Sequence, residues 1–383
     1  MKAVFVAHTA APSGAELAML RLVSALQPHL DTAVVYTADG PMVDRTRERG
    51  IETRLLPNAF DSRSMTIAGA ADPRRLLAGA AGLLRVGWAL GATARELGAT
   101  VLVAGSSKTL LMGAVAARRA GIPLVWQVHD RITAQYFGRA LAPVLRLLGR
   151  VAAQGCIANS RGTLRTLFTW RQPAIVAYPG LEPAPEAVRP PQREPEDAVV
   201  AVVGRLAPWK GQDVFLRALA AAKYVPRQVL LVGGTFFDEE PYRAELERLA
   251  AELALPVTFT GHVDDPEALL RDVDVLVHCS VLPEPFGQVV VEGMRAGCAV
   301  VATRPGGPTE IVEPEISGLL VDAGDEAQLT AALDRLLGDP ALRDRLAAAA
   351  RVRARRFDIT ESARAVAGFL AEVAGRRKWL RHG

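Results

Sequence analysis

The sequence predicts an α/β protein of two doubly wound domains, and three observations carry that prediction. Short apolar, β-branched runs alternate with helix-length amphipathic stretches, which implies mostly parallel sheets covered on both faces. The alternation breaks at residues 181–197, where five prolines in seventeen residues exclude a long helix and a central strand. The chain's 383 residues also exceed what a single hydrophobic core usually supports. The expected division is a first domain at 1–182, a linker at 183–197, a second domain at 198–358 and a terminal segment at 359–383.

In the first half, Lys2-Ala-Val-Phe-Val-Ala7 opens as a strand and residues 15–26 follow as an amphipathic helix. Further strands are expected at 32–37, 52–56, 100–104, 124–128, 155–158 and 174–177. Residues 76–92 are apolar, but Arg85 and several glycines interrupt them, so they read as a helix packed on a sheet and not as a membrane span. The second half restarts the pattern, with strands at 198–203, 229–232, 257–260, 273–278, 299–302 and 318–321. Its helices are expected at 211–222, 241–253, 265–270, 326–337 and 341–355. Two such domains place a ligand at the carboxyl ends of their strands, in the crevice between them.

Composition narrows the function. Half the residues are apolar and 22% are charged, as in an ordinary soluble protein. The apolar run at 3–7 is too short for a signal peptide, so a cytoplasmic location is expected. Cys156, Cys279 and Cys298 are far apart and lack metal-ligand spacing, which favours reduced core thiols. Residues 1–190 hold 22 Lys and Arg against 12 Asp and Glu, whereas residues 191–383 hold 23 against 29. The basic first half suits an anionic partner such as a phosphate, a phospholipid surface or an acidic glycan; general arginine richness is the competing reading. Nucleic acid is not expected, since the basic residues are dispersed and no aromatic-plus-basic motif accompanies them.

The chemistry concentrates in residues 280–310. Pro285 and Gly287 put Glu284 on a loop, while 288–295 runs without a breaker and sets Glu292 about one turn inside a helix. The N–H groups at that helix start, at the positive end of its dipole, can receive a diphosphate. A second glycine turn, Pro305-Gly-Gly-Pro-Thr-Glu310, is expected to add another N–H-rich loop beside it. Upstream, Gly204-Arg-Leu-Ala-Pro-Trp-Lys210-Gly211 follows a strand and precedes a helix; Arg205 can fork onto two phosphate oxygens and Lys210 adds a point charge. It is not a Walker loop, because its Lys precedes the Gly and no Ser or Thr follows.

Glu284-Pro-Phe-Gly, Glu292, Ala296-Gly-Cys-Ala-Val-Val-Ala and Gly307-Pro-Thr-Glu310, together with the Arg205/Lys210 pair, resemble the donor-site signature of retaining glycosyltransferases of family 4, which have the GT-B fold. The resemblance implies two Rossmann-like domains facing a deep cleft, with the terminal helix crossing back to the first domain. It implies transfer of a hexosyl unit from a nucleotide diphosphate sugar, UDP- or GDP-linked, to an acceptor hydroxyl with retention. Arg205 and Lys210 would then hold the diphosphate, Glu292 the ribose, and Glu284 with the N–H groups of Phe286, Gly287 and Gln288 the transferred sugar, with Val289 also among the donor-binding residues. Whether Glu284 does chemistry or positions the sugar is open. Gly261 and Val263 would lie at the nucleobase. Pro12-Ser-Gly14-Ala-Glu16 resembles the family's glycine-rich loop, with Ser13 in place of one glycine, and His129 matches a histidine aimed at the sugar; a core or capping histidine is its other reading. His8 and Lys108, just past strand ends, are cleft candidates.

No metal or cofactor is expected. Asp272-Val-Asp274 formally matches a metal-binding DxD, but it stands at the start of an apolar strand, and two cations and a helix start already meet the diphosphate charge. Two rivals stay open at the level of sequence, a sugar-nucleotide epimerase on the same architecture and a non-catalytic sugar-nucleotide sensor. The acceptor, a glycan, glycolipid or secondary metabolite, would meet the loops at 58–72 and 130–138. Arg139, Arg146 and Arg150 on an apolar helix, with the basic tail at 375–383, suggest peripheral contact with an anionic membrane; simple solvated charge is the alternative.

Overall fold

The computed structural model describes residues 1–56, 73–184, 193–235, 239–263 and 265–382, and the expected acceptor loop at 58–72 and the centre of the linker lie outside them. The chain forms two compact units: one of Met1–Glu182 together with Ile359–Gly383, the other of Pro183–Asp358.

The first unit contains, in chain order, β1 (Lys2–Ala7), α1 (Gly14–Leu26), β2 (Asp31–Tyr36), α2 (Pro41–Glu48), β3 (Glu52–Leu55), α3 (Pro73–Glu96), β4 (Val101–Ala104) and α4 (Ser107–Ala120). It continues with β5 (Leu124–Val128), α5 (Ala134–Ala152), β6 (Gly155–Ala158), α6 (Arg161–Leu164) and β7 (Ala174–Val176). All seven strands are parallel, in the order β3-β2-β1-β4-β5-β6-β7. The residues of β1, β4, β5 and β6 are almost all buried because helices cover both faces, while the edge strands β3 and β7 are more open. One face packs Phe5, Val34, Val103 and Ile157 under α1, and the other packs Val4, Leu102, Leu124 and Trp126 under the helices between β3 and β6. Gly149 of α5 lets Trp126 lie against the helix, since a Cβ there would come within 2.3 Å of the ring.

The chain's last helix, Ile359–His382, belongs to this first unit, beside α1. Ile359 N–H donates to Leu181 O at 3.1 Å and Ser362 Oγ donates to Tyr178 O at 2.8 Å, which register the start of the helix. Ile359, Val366, Phe369, Leu370 and Val373 then bury one face of it. Each contributes about 2 kcal/mol by transfer.

The second unit runs β8 (Val199–Val203), α7 (Gln212–Ala220), β9 (Gln228–Val232), α8 (Glu240–Glu252), β10 (Val257–Gly261), α9 (Pro266–Leu270) and β11 (Val275–His278). It ends with α10 (Gln288–Ala296), β12 (Ala299–Arg304), α11 (Pro308–Ile311), β13 (Leu319–Asp322), α12 (Glu326–Gly338) and α13 (Pro340–Ala354). Its six parallel strands lie in the order β10-β9-β8-β11-β12-β13. Each sheet therefore reverses direction once, between β1 and β4 and between β8 and β11, and ligands of open α/β sheets bind beyond the strand ends at such points.

Two local expectations change. The strand predicted from residue 273 begins at Val275, because Asp274 turns inward and its Oδ2 accepts from Val199 N–H at 2.8 Å and from Arg193 at 2.9 Å. That carboxylate of the formal DxD thus joins two strands and a neighbouring arginine. The second glycine turn is not an open N–H-rich loop: Pro308–Ile311 closes as α11, and Gly307 N–H donates to Glu284 O at 2.8 Å. Among the described residues no helix is long and apolar enough to cross a membrane.

Candidate functional site

At the reversal point of the second sheet, the loop leaving β8 and the loop leaving β11 are joined by close backbone contact. Gly211, at φ +71°, sits where an added Cβ would lie 2.2 Å from Cys279 O. Val281 N–H donates to Trp209 O at 2.9 Å and Cys279 Sγ donates to Lys210 O at 3.3 Å. This clasp places Lys210 Nζ 3.0 and 2.8 Å from the two oxygens of Glu284, 74 residues away in sequence. On the other side of Glu284, Gly306 packs so closely that a Cβ would come within 2.8 Å of Glu284 O.

Glu284 is the centre of a polar network that sequence reasoning only half anticipated. Ser280 Oγ donates to Glu284 Oε2 at 2.8 Å, and His278 Nε2 lies 3.4 Å from the same oxygen. Thr303 approaches the other ring nitrogen of His278 at 3.2 Å and donates to Ser280 O at 2.9 Å. Burial pushes the Glu284 carboxyl upward, but the Lys210 charge and the contacts from His278 outweigh it and hold the group well below the usual carboxylate range. Glu284 is therefore a fixed anion at neutral pH. His278 and Ser280 were missed in the sequence; the available signal was a histidine closing an otherwise apolar strand six residues before the glutamate.

Arg205 is held differently. Gln212 Nε2 donates to Arg205 O at 2.9 Å, fixing the backbone, and the Arg205 guanidinium pairs with Glu239 at 3.1 Å. Gly287, at φ +94°, caps α10 without a side-chain acceptor, so the N–H groups of Gln288 and Val289 open the helix. Phe286 is buried and packs edge-on against Phe357, with ring centroids 5.8 Å apart. Glu292 lies one turn into α10, and Gln288 Nε2 donates to its Oε1 at 2.8 Å. Gly261, at φ +72°, ends β10 and accepts from Gly233 N–H at 2.9 Å, with Val263 just beyond. Arg205, Lys210, Glu284, Gly287, Gln288 and Glu292 thus cluster around one sheet reversal. Among the described residues no group of three His, Cys, Asp or Glu side chains is placed to hold a metal ion.

In the first unit the corresponding point holds an imidazole and a hydroxyl in place of an ion pair. His8 Nδ1 lies 3.1 Å from Ser106 Oγ, the N-cap of α4. Burial, and secondarily the charge of Lys108, lowers the His8 pKa to about 4. His129 follows β5 and lines a small cavity with Ala18, Leu22, Gln127, Asn159 and Tyr178; its carbonyl accepts from Asn159 Nδ2 at 2.8 Å. Burial lowers its pKa to about 4 as well, so both imidazoles are neutral hydrogen-bonding groups. Gly14 begins α1 with open space where a Cβ would stand. Ser13 Oγ donates to the buried Glu16 carboxyl, whose pKa is raised by burial.

Comparison with known proteins decides the family. A family profile described as Glycosyltransferase Family 4 matches residues 12–184, and one described as Glycosyl transferases group 1 matches residues 185–353. A D-inositol 3-phosphate glycosyltransferase of Xylanimonas cellulosilytica is 31% identical over 297 residues, 69% of this chain and 70% of that protein. The chain belongs to glycosyltransferase family 4. The lipopolysaccharide core biosynthesis glycosyltransferase LpsD of Rhizobium meliloti is 38% identical over 177 residues, 45% of this chain and 49% of that protein. This family member spans about half to two thirds of the length of several such relatives. Among solved structures, Anabaena Alr3699/HepE in complex with UDP and glucose superposes with a TM-score of 0.80 at 27% identity, over 97% of this chain and 100% of that one. The two parallel-sheet units are those of the GT-B fold.

Proposed function

We propose that this family 4 protein transfers a hexosyl unit from a nucleotide diphosphate sugar to an acceptor hydroxyl, and that the donor is UDP-linked. The observation that carries the reading is the cluster at the β8/β11 reversal, where two cations, an uncapped helix start and two carboxylates of separate roles come together. HepE, solved with UDP and glucose, supports a UDP donor.

In this reading Arg205, Lys210 and the start of α10 meet the diphosphate, and their attraction grows as the leaving group gains charge. Glu292 accepts from the ribose hydroxyls. Glu284, kept anionic and immobile by Lys210, Ser280 and His278, positions the hydroxyls of the transferred sugar and does not act as a proton donor. The leaving phosphate oxygen then takes the acceptor's proton, and attack occurs on the face the diphosphate leaves. Retention of configuration follows from that geometry. The neutral His8 and His129 are suited to hydroxyl groups of sugar or acceptor.

The test is incubation with UDP-glucose, UDP-galactose and GDP-mannose, with acceptor hydroxyl compounds, following nucleotide release by chromatography and the product anomer by proton NMR. UDP release with an α-linked product supports the reading, and Arg205→Ala lowers the rate about 100-fold or more. Failure to turn over any donor contradicts the transfer, and a β-linked product contradicts the retaining course.

A further inference from the structure

In this GT-B protein, α5 carries the most unusual surface among the described residues. Between Asp130 and Glu182 the chain holds seven arginines and no aspartate or glutamate. The helix breaks at Gly138, φ +76°, and the part beyond it buries only Ala142, Leu145 and Gly149. Leu141, Val144, Leu147 and Val151, at helical spacings of three, three and four, form one stripe turned away from that core, with Val151 68% exposed. Arg139, Arg146 and Arg150, spaced by seven and four, form a second stripe beside it. An aromatic segment completes the face. Gln172 Nε2 donates to Gly149 O and Ala153 O at 3.2 and 2.7 Å, tying this segment alongside α5. The Arg146 guanidinium lies 5.6 Å from the centre of the Phe168 ring, and Arg171 lies 4.6 Å from that of Trp170, which is 72% exposed.

We infer that this face of α5, with Phe168 and Trp170, docks the protein on an anionic lipid bilayer. The aliphatic stripe enters the acyl boundary, the aromatic rings sit at headgroup depth, and Arg139 and Arg150 reach back to lipid phosphates, while Arg146, whose Nε and Nη2 donate to Ile132 O, braces the helix. The alternatives fit fewer of the observations. A two-fold contact with a second copy sets the same patch against itself, arginine against arginine, with no carboxylate in the segment to meet them. A soluble polyanion answers the arginines but leaves four aliphatic side chains in water. The bilayer interface takes both, and this inference holds independently of the transfer reaction.

The test is co-sedimentation of the full chain with vesicles of phosphatidylcholine alone and of phosphatidylcholine containing phosphatidylglycerol, at low and high salt. Binding is expected to the anionic vesicles, to weaken with salt, and to be slight with the neutral ones. Leu147→Glu is expected to lower it about tenfold, and Arg139→Glu about fivefold. Both positions are exposed, so thermal melting should be unchanged and verifies folding. The inference is overturned if the wild-type chain stays in solution with anionic vesicles, or if Leu147→Glu binds them as well as wild type. It is equally overturned if light scattering shows a dimer that Leu147→Glu dissociates, which would assign the face to a second copy.

Discussion

Strands β1 and β8 hold the same place in their sheets, as do β4 and β11, and the loops leaving each pair meet at the one point where the strand order reverses. In the first unit that meeting sets a neutral imidazole against a hydroxyl, His8 Nδ1 to Ser106 Oγ at 3.1 Å. In the second it sets an ammonium against a carboxylate, Lys210 to Glu284 at 2.8 Å, buttressed by Ser280 and His278. One backbone plan thus supports two chemistries, because the strands fix where the loops emerge and the loops alone decide the charge. The neutral point can exchange hydrogen bonds with hydroxyls; the ionic one can bind and stabilise phosphate charge.

The largest expected effect breaks the ionic point. Lys210→Ala leaves a mostly buried Glu284 without its counter-charge and should cost about 3 kcal/mol in denaturant unfolding. Adding Glu284→Gln should restore much of that loss, since the charge that needed a partner is gone. A double variant no more stable than the single one would show that the pair is not coupled. Next in size, Gly211→Ala should cost about 2 kcal/mol, because the left-handed backbone and the 2.2 Å approach to Cys279 O both resist a Cβ. Ser106→Ala at the neutral point removes the cap of α4 and the partner of His8, for about 1 kcal/mol.

The two points are also separated by pH. His8 and His129 titrate at about 4 when folded, below the unfolded value of 6.5. The unfolded chain therefore binds more protons between those values, and stability falls as pH drops through that window. Glu284, depressed instead, keeps its contribution until pH falls below the ordinary carboxylate range. Lys108→Ala should raise the His8 pKa by removing a repelling charge, visible in an NMR titration, and leave the pH response of Glu284 unchanged.

The two-domain α/β class and most strands were legible because each rests on local pattern, apolar runs and breakers, whereas Arg205, Lys210, Glu284 and Glu292 were singled out through the resemblance to family 4 and would each read as surface residues taken alone. The Lys210–Glu284 pairing was not legible, since it joins residues 74 apart and depends on how two loops pack. The same is true of the Arg205–Glu239 pair. Asp274 read as a strand residue because its neighbours are apolar, and only the fold shows its carboxylate bound to Val199 N–H. The glycines at 306 and 307 read as open loop for the opposite reason: their flexibility is used for close packing on Glu284 and Phe286. On α5 the sequence showed apolar residues and arginines, but which of them face outward is decided by the packing of Leu145 and Gly149.

Calorimetric titration of UDP into the full chain and into Arg205→Ala, Glu292→Gln and His8→Ala variants tests the central claim most directly. If the β8/β11 reversal is the nucleotide diphosphate site, UDP binds, the first two variants each weaken it about tenfold or more, and His8→Ala leaves it near the wild-type value. Unchanged affinity in Arg205→Ala and Glu292→Gln, or loss of binding in His8→Ala alone, would contradict the account.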